Sequence, residues 1–196
     1  TEEQFEELKD DPLIESWGLR RFVGMPTEVP FNKSHVEIGY SDANQAHWGY
    51  CDPIEGRLPQ EGTDEAATDT HVLELLGVEP ELGAQFTVTF TVDGRETTQT
   101  FTLCGWWASP TNFTEACAWI TAETARTLVP DYDSENAAGL TLGVTLHQPR
   151  DLETQAAQIL TDQGLPETKF IIELIFFRYL RRGCRIQPTI TSHHRA

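Results

Sequence analysis

Long apolar runs are missing from this chain. Nothing approaches the roughly 18 consecutive apolar residues that crossing a bilayer as a helix requires. The longest stretch, Phe170 to Leu180, is interrupted by Glu173 and Arg178, so no transmembrane helix is expected. The opening TEEQFEELKDD has neither the basic start nor the apolar centre of a signal peptide. Methionine occurs once, at Met25, and the first residue is not an initiator. The expectation is an excised fragment whose targeting segments were removed. Basic residues are scarce: 14 against 31 acidic ones, for a net charge of −17. That balance excludes a nucleic-acid partner, because phosphate contacts need a basic surface. Six of the basic residues, Lys169, Arg178, Arg181, Arg182, Arg185 and Arg195, fall in the last segment against Glu173 alone. The body of the chain is therefore more acidic still.

Cysteine is sparse and widely spaced. Cys51, Cys104, Cys117 and Cys184 form no CxxC pair, so zinc-finger spacing is absent. An even count permits disulfides, and Cys104 also reads as a small buried hydrophobe. No GxGxxG, no GxxxxGK[ST] and no GxSxG occurs, which removes the sequence signals for a dinucleotide site, a P-loop and a serine nucleophile elbow. Carboxylates are too numerous for any pair to be singled out as acid and base. The reading carries no catalytic residue, no cofactor and no metal.

The clearest element present runs from Leu82 to Trp107. Phe86, Val88, Phe90 and Val92 alternate with Thr87, Thr89 and Thr91, the period-two pattern of a half-buried strand. Asp93-Gly94 follows, a pair suited to positive φ at both turn residues. Counting back through the turn pairs Val92 with Arg95, Phe90 with Thr97, Val88 with Gln99 and Phe86 with Phe101.

Taken in order, Thr1 to Lys9 reads as a short helix with Phe5 and Leu8 buried, ended by Asp11-Pro12. Leu13 to Val23 reads as extended, with Ile14, Trp17, Leu19 and Phe22 as candidate core residues. Val36, Ile38 and Tyr40 alternate in HVEIGY. Ser41 to Gly62 reads as irregular. Glu65 to Gly77 reads as a connection and then a helix, capped by Asp69 or Thr70 and stopped by Gly77. Ala116 to Ile120 reads as a strand, and Thr121 caps a helix to Leu128. Leu140 to Leu146 is a strand, Asp151 caps a helix to about Gln163, and Lys169 to Phe177 is a further strand. The fold class is α+β. Residues 1–38 with 132–196 are expected to form one α/β layer from the two ends of the chain, and residues 39–131 an inserted, mostly β subdomain with the long hairpin.

Candidate sites are few. His35, Asp42 and His47 lie close in sequence, but their spacing matches no ligand motif. His71 and Glu74 stand i, i+3 on a helix, and His193-His194 lie at the terminus. Asn32-Lys-Ser34 and Asn112-Phe-Thr114 are formal glycosylation sequons. Trp106, Trp107, Phe113 and Trp119 form the candidate contact surface. Two consecutive strand tryptophans face opposite sides, so either one of them is exposed for binding or both faces are packed.

The run Glu55-Gly-Arg-Leu-Pro-Gln60, then Glu65 to Gly77 ending in Leu-Gly, then Leu82-Gly83 leading into the threonine-rich hairpin that closes Leu103-Cys-Gly-Trp-Trp107, resembles the extracytoplasmic domain of FtsX-like ABC transporter permeases. This is the MacB-type periplasmic core domain. Ile14 to Leu19 fits the opening strand of that family, and the resemblance covers about residues 1–165. It implies a porter-like α/β layer near the membrane and an inserted β-rich lobe farther out. It implies a non-enzymatic domain of an integral membrane protein, outside the cell membrane of a Gram-positive bacterium, with ATP handled by a separate ATPase subunit. A peptide, antibiotic or lipoprotein substrate and a dimeric full-length protein are further implications. The tail from Phe170 to Ala196 departs from the family, whose members return there to the membrane. Two other readings compete. One is a free secreted or surface binding module, an adhesin or carbohydrate binder with exposed aromatics. The other is a hydrolase whose cysteine or serine meets a histidine within about 3.2 Å in space.

Overall fold

The structure is a computed structural model that describes residues 1–108, 116–130, 132 and 139–164, together with the backbone of 171–175 and 187–191. The chain divides into two units: Thr1–Arg20 with Asp133–Ala196, and Arg21–Tyr132.

In the first unit, α1 (Glu2–Lys9) starts on a capping box, Thr1 accepting from the Gln4 N–H while the Gln4 side chain reaches back. Phe5 and Leu8, one face of this helix, are buried. Strand β1 (Ile14–Gly24) begins here, and β8 (Leu140–Leu146) lies beside it in the sheet. Next come β10 (Gln187–Thr191), antiparallel to β8, and β9 (Ile171–Ile175), antiparallel to β10. Helix α5 (Leu152–Asp162) is capped by Asp151 and turns Ala156, Ile159 and Leu160 inward. One apolar cluster joins Phe5, Leu8, Ile14, the β8 leucines and Ile159. Lys9 Nζ sits 3.8 Å above the Trp17 ring, which keeps that tryptophan at the rim of the core. Of the strand expected over Lys169 to Phe177, β9 is the part within the described residues. Strand β10 was not foreseen; a proline at 188 and a basic run before it hid the signal.

The second unit contains the end of β1 and the strands β2 (Val36–Ser41), β3 (Glu55–Gly56), β4 (Glu65–Asp69), β5 (Gln85–Val92), β6 (Arg95–Trp107) and β7 (Ala116–Ile120). Their order is β3-β6-β4-β7-β2-β1, with β5 paired to β6. Strand β2 is parallel to β7, and β4 is parallel to β6 but antiparallel to β7. Three short helices complete it: α2 (Ala43–Trp48), α3 (Thr70–Leu76) and α4 (Ala122–Leu128). The β5–β6 register is the one counted from the Asp-Gly turn, Phe86 opposite Phe101 and Val92 opposite Arg95. Asp93 has φ 46° and Gly94 φ 74°, the positive pair that a tight hairpin turn demands. Asp69 caps α3, and Gly77 ends it in the left-handed region at φ 65°.

Several expectations need correction. Phe22 is exposed while its neighbour Arg21 is buried. Arg21 and Val23 share the inner face by strand period, and the Arg21 guanidinium stacks 4.7 Å from the centre of the buried Tyr132 ring. Ser41 to Gly62 is not wholly irregular: Asp42 accepts from the Gln45 N–H and starts α2. Glu65 to Asp69 is a strand, not a connection. Its EAATD sequence has little β-propensity, and pairing to β6 and β7 on both sides imposes the conformation.

Candidate functional site

The second unit is organised where the loop Glu55–Glu65 crosses β6. Gly56 stands opposite Gly105 in the β3–β6 register. A Cβ on Gly56, whose φ is +77°, would lie 2.2 Å from the Cys104 carbonyl oxygen; one on Gly105 would lie 2.4 Å from the Arg57 oxygen. Only paired glycines allow the two backbones this close. The Arg57 N–H then donates to Cys104 O at 2.9 Å, and the Ile54 N–H to Trp106 O at 2.8 Å.

Beyond the crossing, the Arg57 guanidinium donates from both terminal nitrogens to the two Glu65 oxygens at 2.7 Å each. This is the bidentate fork that suits arginine and carboxylate. Glu65 also accepts from the Gln60 N–H at 3.0 Å. Arg57 and these hydrogen bonds hold the Glu65 carboxyl below the ordinary carboxylate range, and Glu65 raises Arg57 in turn. From the same loop, Glu61 accepts from the Ala122 and Glu123 N–H groups at 2.9 and 3.0 Å. It thereby adds a carboxylate to the start of α4, which Thr121 caps. Beside this loop lies an open cleft of about 370 Å³, lined by Gly62, Thr63, Asp64, Gln99, Glu123, Thr124, Thr127 and Leu128. It offers carboxylates and hydroxyls, a lining for polar contacts.

Of the two alternatives for the candidate aromatic surface, the three tryptophans follow the packed one. Trp106, Trp107 and Trp119 are 7 %, 1 % and 4 % exposed. Trp106 packs with Phe86, Phe101 and Leu103 in one cluster, and Trp107 with Trp119, Cys51, Cys104 and Cys117 in another. Strand β6 is exposed or half-buried from Arg95 to Thr100 but is buried continuously from Leu103 to Trp107. There it lies between β3 and β4, with both faces of the sheet covered. Adjacent tryptophans thus face opposite sides and each finds a core. Phe113 lies outside the described residues, as does the Asn112 sequon.

The titratable candidates do not converge on one point. His47 Nδ1 lies 2.7 Å from Asp52 Oδ2, with both side chains mostly exposed. His71 faces Glu74 at 3.7 Å on α3. The Cys104 thiol donates to Arg57 O at 3.3 Å, and burial pushes its pKa up to about 12, so it stays a thiol at neutral pH. Among the described residues no three His, Cys, Asp or Glu side chains cluster as metal ligands. Sequence reasoning named the Glu55–Gln60 turn but missed Gly105, Glu61 and Glu65 as its partners. Arg57 and Glu65 meet across a loop, and no short periodicity marks such a pair.

No protein-family model and no curated protein matches the chain. Solved structures do. The extracellular domain of the noncanonical ABC-type transporter YknZ from Gram-positive bacteria superposes with a TM-score of 0.54, at 13% identity, over 85% of this chain and 86% of that one. The periplasmic region of MacB from Actinobacillus actinomycetemcomitans gives 0.52 at 12% identity, over 83% and 74%. The fold is that of a MacB-like periplasmic domain. At this identity the likeness resides in backbone geometry. In this MacB-like fold, the Gly-Arg turn named in the sequence is the point where the β3 loop locks onto β6.

Proposed function

We propose that the chain is the non-catalytic extracytoplasmic domain of an ABC transporter permease. It couples ATP-driven movement of transmembrane helices to export or sensing of a substrate, or to a partner protein. The fold likeness to two transporter domains over more than four-fifths of the chain carries this reading. In this reading residues 1–38 with 132–196 form the porter-like, membrane-proximal subdomain, and residues 39–131 the inserted distal lobe. The ATPase is a separate subunit or domain, the full-length permease is a dimer, and the host is a Gram-positive bacterium. The substrate class is a peptide, antibiotic or lipoprotein. A binding module displaying the aromatics of the candidate surface loses support, because Trp106, Trp107 and Trp119 are internal. The test is protease added to intact cells that make the full-length protein. Cleavage within this domain before lysis is the expected result, and protection until lysis contradicts the reading.

A further inference from the structure

The distal-lobe core holds two thiols in contact. Cys51 Sγ and Cys117 Sγ are 3.6 Å apart, although 66 positions separate them in sequence. Cys51 follows α2 in an irregular segment, and its thiol also lies 3.3 Å from the Gly49 carbonyl. Cys117 sits in β7, flanked by β2 and β4. Both are 5–6 % exposed and share an apolar cluster with Ala46, Ala67, Trp107 and Trp119. A disulfide needs its sulfurs about 2 Å apart, and closing the remaining ~1.6 Å takes only small side-chain rotations if the backbone of the loop gives slightly. Two cysteines from distant parts of the chain, side by side in a closed core, are the arrangement that a structural bridge requires.

We propose that Cys51 and Cys117 form a disulfide site that closes in an oxidising compartment and ties the loop after α2 to the central strand. The compartment half of this proposal rests on the extracytoplasmic reading above; the site itself does not. The oxidant is a disulfide donor, either a small-molecule disulfide or the disulfide of an oxidoreductase. The Cys51 thiolate attacks one sulfur of the donor, the donor S–S bond breaks, and one donor thiolate leaves. The Cys117 thiolate then attacks Cys51 Sγ in this mixed disulfide and expels the second donor thiolate. Two protein thiols are oxidised, the donor disulfide is reduced to two thiols, and the two protons pass to the donor sulfurs. Cys51 takes the first step because its irregular segment opens locally more readily than a central strand. Cys104 shares the cluster, but its thiol is held in a hydrogen bond to Arg57 O.

The experiment uses the full chain with Cys184→Ser, refolded from denaturant in a buffer of oxidised and reduced glutathione. The expected product carries one disulfide, mapped by non-reducing peptide mass spectrometry to Cys51 and Cys117, with Cys104 free. Its Tm should exceed that of the reduced form of the same protein by roughly 5–10 °C, as a long closed loop implies. Adding Cys51→Ala should abolish that redox-dependent shift. The main comparison lies within one sequence, so it holds whether or not the variant folds. A folded product with three free thiols, a bridge through Cys104, or a Cys51–Cys117 bridge that lowers Tm overturns the site. Alkylation trapping of the full-length protein in its own cells separates the two parts of the proposal. A bridge trapped there supports both. A bridge that forms in glutathione but is absent in cells overturns the oxidising compartment and leaves the site standing.

Discussion

Single residues decide the crossing of the β3 loop and β6. At Gly56 an added methyl meets the Cys104 carbonyl and a positive φ together. Gly56→Ala should therefore cost about 2–4 kcal/mol in denaturant unfolding. Gly62 has φ +79° with open space around it, so Gly62→Ala should cost only ~1 kcal/mol. Equal losses at the two sites would show that backbone conformation alone, and not close approach, selects glycine here. The Arg57–Glu65 fork makes a pH-dependent contribution. The folded pKa of Glu65 is depressed, so its stabilisation is present above the unfolded value and is lost as pH falls through the folded one. Arg57 is half exposed, which limits the pair to about 1 kcal/mol. Glu65→Gln should lower stability by that amount at neutral pH, and the gap to the unsubstituted protein should close on acidification. A gap that widened in acid would contradict the pairing. The glycines and Arg57 were legible as a turn, but their partners were not. Sequence shows that a residue can turn but not which carbonyl approaches it.

Among the elements, β6 shows how far a pattern reaches. Its first half is placed by its partner β5, whose apolar residues alternate with threonines, and by the Asp-Gly turn; register and inner face follow from those residues. On the outer face Thr87 meets Thr100 and Thr89 meets Thr98 through their hydroxyls at 2.9 and 2.8 Å, cross-strand pairs set by the same register. Its second half loses the alternation because neighbours cover both faces, and period two says nothing about a strand buried on each side. For that reason the sequence left open whether one tryptophan is exposed or both are packed. Trp107→Ala should cost about 3–5 kcal/mol as a cavity mutation, measured by thermal or chemical unfolding. A near-neutral result would return Trp107 to the surface. Helices α3, α4 and α5 were legible from their caps, since Asp69, Thr121 and Asp151 each accept from a first-turn N–H. Helix α2 has a cap of the same kind at Asp42, but its six residues bury only Ala46, too few for an apolar stripe. Strand β4 was illegible because its alanines take their conformation from the two strands beside it.

At the scale of the whole chain, each unit has a core of its own: Phe5, Leu8, Ile14, Leu142 and Ile159 in one, and the hairpin phenylalanines with Val36, Ile38 and Ile120 in the other. The α+β class was legible because strands and capped helices interleave. The likeness to transporter domains was legible only through the order of weak motifs, and those motifs mark a backbone crossing and a hairpin, not chemistry. The net charge of −17 names no partner. The central claim, an extracytoplasmic permease domain, is tested most directly by reading the native open reading frame on both sides of this chain. The account predicts a transmembrane helix upstream, several downstream, and a P-loop ATPase encoded in the same frame or beside it. A signal peptide leading straight into this domain, followed by a stop codon, would contradict it and make a free secreted module the better reading.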